Sequence, residues 1–279
     1  MADYSITVLE YGVQIGFSNA MVFSGYYGDG ERTDVTYTFN VLKKDDEIIL
    51  VDTGYDDASD EDQALADGVN LTNYQNPKTV LKKIGIDAED VKHVILTHAH
   101  WDHMGGIRLF PNATFYLQKE ELTKWIETVA LPKEYDILKA SISYTDLELC
   151  VGLLKERRLV LLDGDVDNLF SGIDIRVARD GHSFASSLVI VNTHGKKYVM
   201  VGDCAYVKAN ITGPRGDGVS MPNGFAVGSA LNAVKTCQDI LKYADYHIEN
   251  VLVGHEVGTW QQYESVKTDD GLHIAYVEK

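Results

Sequence analysis

Three imidazoles and one carboxylate fall within six residues at His98, His100, Asp102 and His103, inside Thr97-His98-Ala99-His100-Trp101-Asp102-His103-Met104-Gly105-Gly106. Neutral imidazoles crowded together gain little from one another unless a cation sits among them, so this spacing points to metal binding, not to an ordinary polar loop. His and carboxylate without Cys suit zinc, manganese, iron or cobalt. In an extended segment side chains alternate, so His98 and His100 point the same way and can chelate one ion. Asp102 and His103 lie on the following turn and can face a second.

The elements that must position these groups are apolar strands. Val94-Ile95-Leu96 immediately precedes the motif and reads as a buried strand. His182 follows an apolar segment at 173–178, Asp203 ends Tyr198-Val199-Met200-Val201-Gly202, and His255 ends Val251-Leu252-Val253-Gly254. Each lies at a strand end, where side chains from separate elements can converge on one cleft. Counting ligands gives His98, His100 and His182 for one ion and Asp102, His103 and His255 for another, with Asp203 left to bridge them. Such a set fits a dinuclear hydrolytic centre, whose metals lie roughly 3.5–4 Å apart.

The rest of the chain reads as an α/β scaffold. Alternation predicts half-buried strands at 5–12 and 34–42, followed by strands at 47–52 and 113–118. Further strands are predicted at 159–163, 173–178, 186–192, 197–202 and 249–253. Helices are predicted at 77–85, at 119–129 with Leu122, Trp125, Ile126 and Val129 inward, and at about 226–244. Residues 130–156 read as helical, a cap over one face, and the segment near 17–30 as a pocket-lining loop. The acidic run from Asp56 to Asp67 reads as solvated surface, and His93, His194, His247 and His273 as structural or surface histidines. No repeat and no linker composition divides the chain, so a single domain over 1–279 is expected.

Composition narrows the partners. The 279 residues are 45 % hydrophobic and 24 % charged, as in an ordinary globular protein. A formal net charge of −17 argues against nucleic acid and against an anionic membrane surface. No segment approaches the roughly twenty apolar residues of a membrane span, and the N-terminus lacks a secretory pattern. Three widely spaced cysteines, Cys150, Cys204 and Cys237, read as reduced, so a cytoplasmic location is expected. Oligomeric state is left open by the sequence, with a homodimer the preferred expectation.

The constellation resembles the metallo-β-lactamase superfamily, whose His-x-His-x-Asp-His signature stands here as His98-Ala99-His100-Trp101-Asp102-His103. Asp52-Thr53-Gly54 before it and Gly181-His182, Gly202-Asp203 and Gly254-His255 after it occur in that family's order. The resemblance implies a four-layer αβ/βα sandwich with two divalent metal ions, zinc foremost, at one edge between two sheets. Within the family, a Cys-ligand β-lactamase would place its Cys where Asp203 stands, whereas Cys204 is expected to point elsewhere. Redox di-iron members usually carry Glu at the position of His100. Asp203-Cys204-Ala205-Tyr206 resembles the Asp-x-x-Tyr segment of N-acyl homoserine lactonases, which implies that Tyr206 assists at the substrate carbonyl. The segment after His182, Ser183-Phe184-Ala185-Ser186-Ser187, departs from the usual pattern of the family, and Phe184 is expected in the cleft.

The expected function is therefore a dinuclear metal-dependent hydrolase that opens a lactone, or a related acyl bond, by attack of a metal-bridging hydroxide on a small-molecule substrate. Asp102 would deliver a proton to the leaving oxygen and Tyr206 would stabilise the oxyanion, with Trp101, Phe184 and Tyr206 touching substrate. The alternatives are hydrolysis of an amide, lactam, thioester or phosphodiester, and a metal-binding protein without turnover.

Overall fold

The computed structural model describes residues 3–24, 30–224 and 227–279. Fourteen strands lie in two sheets among these residues. The first half contributes β1 (Ser5–Ser18), β2 (Arg32–Lys44), β3 (Glu47–Val51), β4 (Leu71–Thr72), β5 (His93–Ile95), β6 (Thr114–Gln118) and β7 (Leu159–Leu162). The second half supplies β8 (Val166–Phe170), β9 (Ile173–Arg179), β10 (Ala185–Thr193), β11 (Lys196–Met200), β12 (Val251–Leu252), β13 (Glu264–Lys267) and β14 (His273–Glu278). The larger sheet runs β13-β14-β1-β2-β3-β5-β6-β7, with β4 paired to β1, and the smaller runs β12-β11-β10-β9-β8.

Side-chain alternation sorts the core into three layers. Ile49, Val51 and Ile95 of the larger sheet meet Ile175, Val189, Val191 and Met200 of the smaller between the sheets. Their neighbours Leu50, Val94 and Leu96 turn the other way, toward Val80, Leu81, Leu122, Trp125 and Leu147 on outer helices. Leu188, Ile190 and Val199 likewise pack on Cys237 and Ile240 of the helix Ala230–Tyr243. Helix, sheet, sheet, helix is the expected four-layer order. Among the described residues no helix is long and apolar enough to cross a membrane.

Several boundaries differ from the sequence reading. β1 extends to Ser18 because its outer half pairs with both β2 and β4. β13 and β14 were not anticipated: Glu264-Ser265-Val266-Lys267 is a mostly exposed edge strand with no clear apolar face. The helix Lys119–Val129 has the predicted bounds, but Ile126 is exposed and Glu121 is fully buried. Residues 130–156 are helical as expected, yet Leu147, Cys150 and Leu153 enter the core, so only part of the segment is positioned to cover a cleft.

The acidic run is a correction. Asp60–Gly68 forms a helix whose N-cap Ser59 accepts a hydrogen bond from the Asp62 N–H, and the Asp62 side chain is fully buried. It lies beside Asp146, also buried, at the same position of the helix Tyr144–Lys155 capped by Ser143. Burial pushes Asp62 up to about 6, and burial followed by the charge of Asp62 pushes Asp146 up to about 8. The folded chain thus keeps protons that the unfolded chain releases near the ordinary value of 3.8. Folded binds more protons than unfolded across that window, so stability falls as the pH rises from about 4 to about 8. Urea midpoints are expected to drop between pH 6 and pH 9, and Asp146→Asn is expected to flatten that slope. Equal slopes in the two proteins would refute the assignment.

Candidate metal centre

Strand direction explains why distant residues share one edge. β3, β5 and β6 run parallel, so Asp52 and the segment from Thr97 leave at the same end of the larger sheet. β11 and β12 are also parallel, and their ends deliver Asp203 and His255. His182 sits in the turn between β9 and β10. His100 then caps the short helix Trp101–Met104, which carries Asp102 and His103.

Two groups of ligand atoms converge: His98, His100, His182 and Asp203 in one, and Asp102, His103, Asp203 and His255 in the other, each within 4.8 Å. All seven residues are buried. Asp203 divides its carboxylate between them. Oδ2 lies 3.4 Å from His182 Nε2 and 3.7 Å from His98 Nε2, whereas Oδ1 lies 2.9 Å from His103 Nε2 and 3.1 Å from His255 Nε2. Asp102 Oδ2 stands 3.5 Å from His103 Nε2 and 3.8 Å from His255 Nε2.

The imidazole orientations test whether this set suits a cation. His103 Nδ1 lies 2.8 Å from Asp52 Oδ2, and His255 Nδ1 lies 2.7 Å from the Thr36 carbonyl. His98 Nδ1 is 3.0 Å from the Thr97 hydroxyl, which itself donates to Asp52 Oδ2 at 2.9 Å. His182 Nδ1 faces Asn223 Oδ1 at 3.3 Å, and the amide is fixed because its Nδ2 donates to the Asp203 carbonyl at 2.6 Å. With acceptors at every one of these Nδ1 atoms, a proton belongs there and each Nε2 is turned inward, that of His255 to within hydrogen-bond reach of Asp203 Oδ1 at 3.1 Å. His98 Nε2 and His103 Nε2 are buried without a hydrogen-bond partner, so the 2.9 Å approach of His103 to Asp203 is proximity without hydrogen-bond alignment. Converging lone pairs of this kind are what a cation satisfies, and the residues fit the group.

Electrostatics agree with a division of labour. Burial holds His98 and His100 well below the ordinary imidazole value and His182 down to about 4, so all three are neutral near pH 7. Burial also opposes charge on His103, but Asp203, Asp102 and Asp52 outweigh it and hold that imidazole high, so these carboxylates favour positive charge at its inward nitrogen, from a proton or from a cation in its place. For Asp203 burial is outweighed by His103 and His255, which keep its carboxyl well below the usual range.

A cavity opens beside the centre, with His100, Asp102, Asp203, Tyr206 and His255 at its polar end. Its wall is apolar: Phe17, Met21, Val35, Tyr37, Val69 and Trp101, with Ala140 and Ser141 completing it. The expected lining segments therefore each contribute part of their length; residues 25–29 of the 17–30 segment lie outside the described residues. Trp101 is held by a T-shaped contact with Tyr55 at 5.0 Å and by its backbone N–H donating to the Ser141 carbonyl. Tyr206 sets its ring edge-on to His255 at 4.8 Å. Phe184 is placed elsewhere: it packs edge-on against Trp125 at 4.8 Å and does not line this cavity. Cys204 is buried toward the helix Ala230–Tyr243, away from the ligand groups.

Sequence reasoning missed the groups that aim the ligands. Asp52 was visible as a strand end and as part of the Asp52-Thr53-Gly54 segment of the resemblance, but not as a support, yet it adopts φ +67° and reaches both Thr97 and His103. Glu121 carried one usable signal, since it precedes Trp125 by a helical turn and so shares its inward stripe. Asn223 and Thr36 carried none.

Comparison with known proteins gives the same picture. The family described as the metallo-beta-lactamase superfamily matches residues 37–255. An N-acyl homoserine lactonase of Rhizobium radiobacter is 27 % identical over 191 residues, covering 66 % of this chain and 65 % of that relative, just under two thirds of its length. An N-acyl homoserine lactonase of a Bacillus species is 24 % identical over 222 residues, covering 76 % of this chain and 79 % of the relative. Among solved structures, a quorum-quenching N-acyl homoserine lactone lactonase aligns with a TM-score of 0.66 at 18 % identity, covering 94 % of this chain and 95 % of the other. A dizinc quorum-quenching lactonase in complex with a product aligns with a TM-score of 0.66 at 21 % identity, covering 100 % and 95 %.

Proposed function

This chain belongs to the metallo-β-lactamase superfamily, and from that membership we propose that it is a two-metal hydrolase that opens the ring of a lactone bearing an apolar acyl chain. The observation that carries the reading is the juxtaposition of two complete ligand groups with a cavity whose far wall is apolar. His98, His100 and His182 would hold one divalent cation and Asp102, His103 and His255 the other, with one oxygen of Asp203 toward each. Bound there, the pair would supply Lewis acidity for a substrate carbonyl and a lowered pKa for water.

The chain's own residues do the rest. Phe17, Met21, Val35 and Val69 offer an acyl chain an apolar wall and keep bulk water from it. Tyr206 is pushed above its ordinary value by burial first and by Asp203 and Asp102 next, so its hydroxyl stays protonated. Lining the cavity beside His255, it can donate a hydrogen bond to an oxyanion forming at the scissile carbonyl. Asp102 turns its carboxylate to the centre while lining the cavity, a position from which it can take a proton from the attacking water and pass it to the ring oxygen as that oxygen leaves. The Tyr11 hydroxyl holds the Asp102 carbonyl at 2.7 Å and fixes that residue's backbone.

The test is a substrate panel on the metal-loaded protein: acyl homoserine lactones of increasing chain length, an unsubstituted γ-lactone, a thioester and bis-p-nitrophenyl phosphate. Ring opening that strengthens with chain length is expected; turnover of the thioester or phosphodiester with inert lactones would reject the lactone reading. Tyr206→Phe should lower lactone kcat about 10²-fold, the scale of a lost oxyanion donor, with two metals still bound. Undiminished kcat would remove Tyr206 from the mechanism.

A further inference from the structure

Glu121 lies outside both ligand groups and outside the cavity, yet its side chain is fully buried on the helix Lys119–Val129. A buried carboxylate is costly unless hydrogen bonds meet it. Four do. Oε1 accepts from the Ala99 N–H at 3.0 Å, the Trp125 Nε1–H at 2.9 Å and the Ser183 hydroxyl at 2.5 Å, and Oε2 accepts from the Ala185 N–H at 2.7 Å. Ala99 sits between His98 and His100, and Ser183 follows His182 directly. One anion thereby ties the loop leaving the larger sheet to the turn of the smaller sheet, and both carry ligands of the same half-site.

The other half-site does without Glu121, although Asp52 supports both, His103 directly and His98 through the Thr97 hydroxyl. His103 is aimed by Asp52 and His255 by the Thr36 carbonyl, and none of the hydrogen bonds to Glu121 reaches a residue flanking either of them. We propose that Glu121 is a positioning residue for the His98, His100 and His182 half-site alone, so that the two cations are held with unequal sensitivity to its loss. The inference rests on the two-metal reading above. Partners beyond the ligands typically change metal affinity about 10–100-fold, and the expected change here is of that size and confined to one equivalent.

Co²⁺ titration of the metal-free protein, followed by visible absorption and calorimetry, tests this without any substrate. The native chain should take up two equivalents, and His182→Ala marks which one belongs to the half-site in question. Glu121→Gln keeps the shape of the side chain but sets an amide N–H against a donor. It should weaken the marked equivalent roughly 10–100-fold and leave the other constant unchanged. Equal weakening of both equivalents, or of neither, overturns the proposal. A native chain that takes up fewer than two equivalents would instead overturn the two-metal reading, and this inference with it. Should Glu121→Gln not fold, Ser183→Ala removes one contact and leaves three in place. A smaller loss confined to the marked equivalent then supports the proposal, and unchanged binding overturns it.

Discussion

Replacing Asp203 by asparagine is expected to lower turnover by about three orders of magnitude and to weaken both metal equivalents together. The estimate follows from Lewis-acid stabilisation worth several kcal/mol at about 1.4 kcal/mol per tenfold in rate. The geometry explains why both should fall. Asp203 is the one residue common to the two ligand groups, with Oδ1 toward His103 and His255 and Oδ2 toward His98 and His182. An asparagine keeps the shape but replaces one oxygen with a group that has no lone pair to offer, and it removes the charge that balances two cations. Metal analysis and steady-state kinetics on the same preparation decide the matter. A variant that retains two metals and near-native turnover would show that Asp203 does not bridge. The contrast with Glu121→Gln is informative, since that change should separate the two equivalents.

The second large effect is structural. A Cβ added at Gly106 would lie 2.6 Å from the Thr53 carbonyl oxygen and 3.0 Å from the Thr53 Cβ. These segments are already clasped: the Thr53 N–H donates to the His103 carbonyl and the Gly106 N–H to the Gly54 carbonyl, both at 2.8 Å. Neither backbone can retreat without breaking these bonds, so the Gly106→Ala penalty should fall at the upper end for overpacking, about 3 kcal/mol. At roughly 2–4 °C per kcal/mol for a chain approaching this size, Tm should drop by about 10 °C. The displacement also moves Asp52, one residue from Thr53, away from His103 Nδ1. Calorimetric unfolding and metal content should therefore decline together; an unchanged Tm would mean that the clasp is loose.

What the sequence disclosed and what it withheld divide along physical lines. The candidate metal ligands were legible because His and Asp at strand ends have few structural uses in such density. The strands beneath them were legible because alternation of apolar residues directly encodes which face is buried, as in Ile49 and Val51 against Leu50. The supports were far less legible, Glu121 alone carrying a signal through its helical spacing to Trp125. Asp52, Glu121 and Asn223 are common residues that gain their roles only when segments far apart in the chain are brought together. Asp62 was misplaced for a related reason: a run of acids looks solvated by composition, and nothing local shows that one of them will meet Asp146 in the interior. Phe184 illustrates the remaining ambiguity, because an aromatic beside a ligand can face either the cleft or the core, and here Trp125 takes it.

The scatter of ligands along the chain, from His98 to His255 and from both sheets, also bears on the order of events during folding. No short stretch of the unfolded polypeptide contains a full half-site, and bringing such distant loops together carries a closure entropy that only the assembled sheets repay. A cation would therefore find only part of its donors in any one stretch, the densest being His98 to His103. It would meet a complete site only after the two sheets have docked, and its contribution would then be to slow their separation, as a latch on a finished molecule.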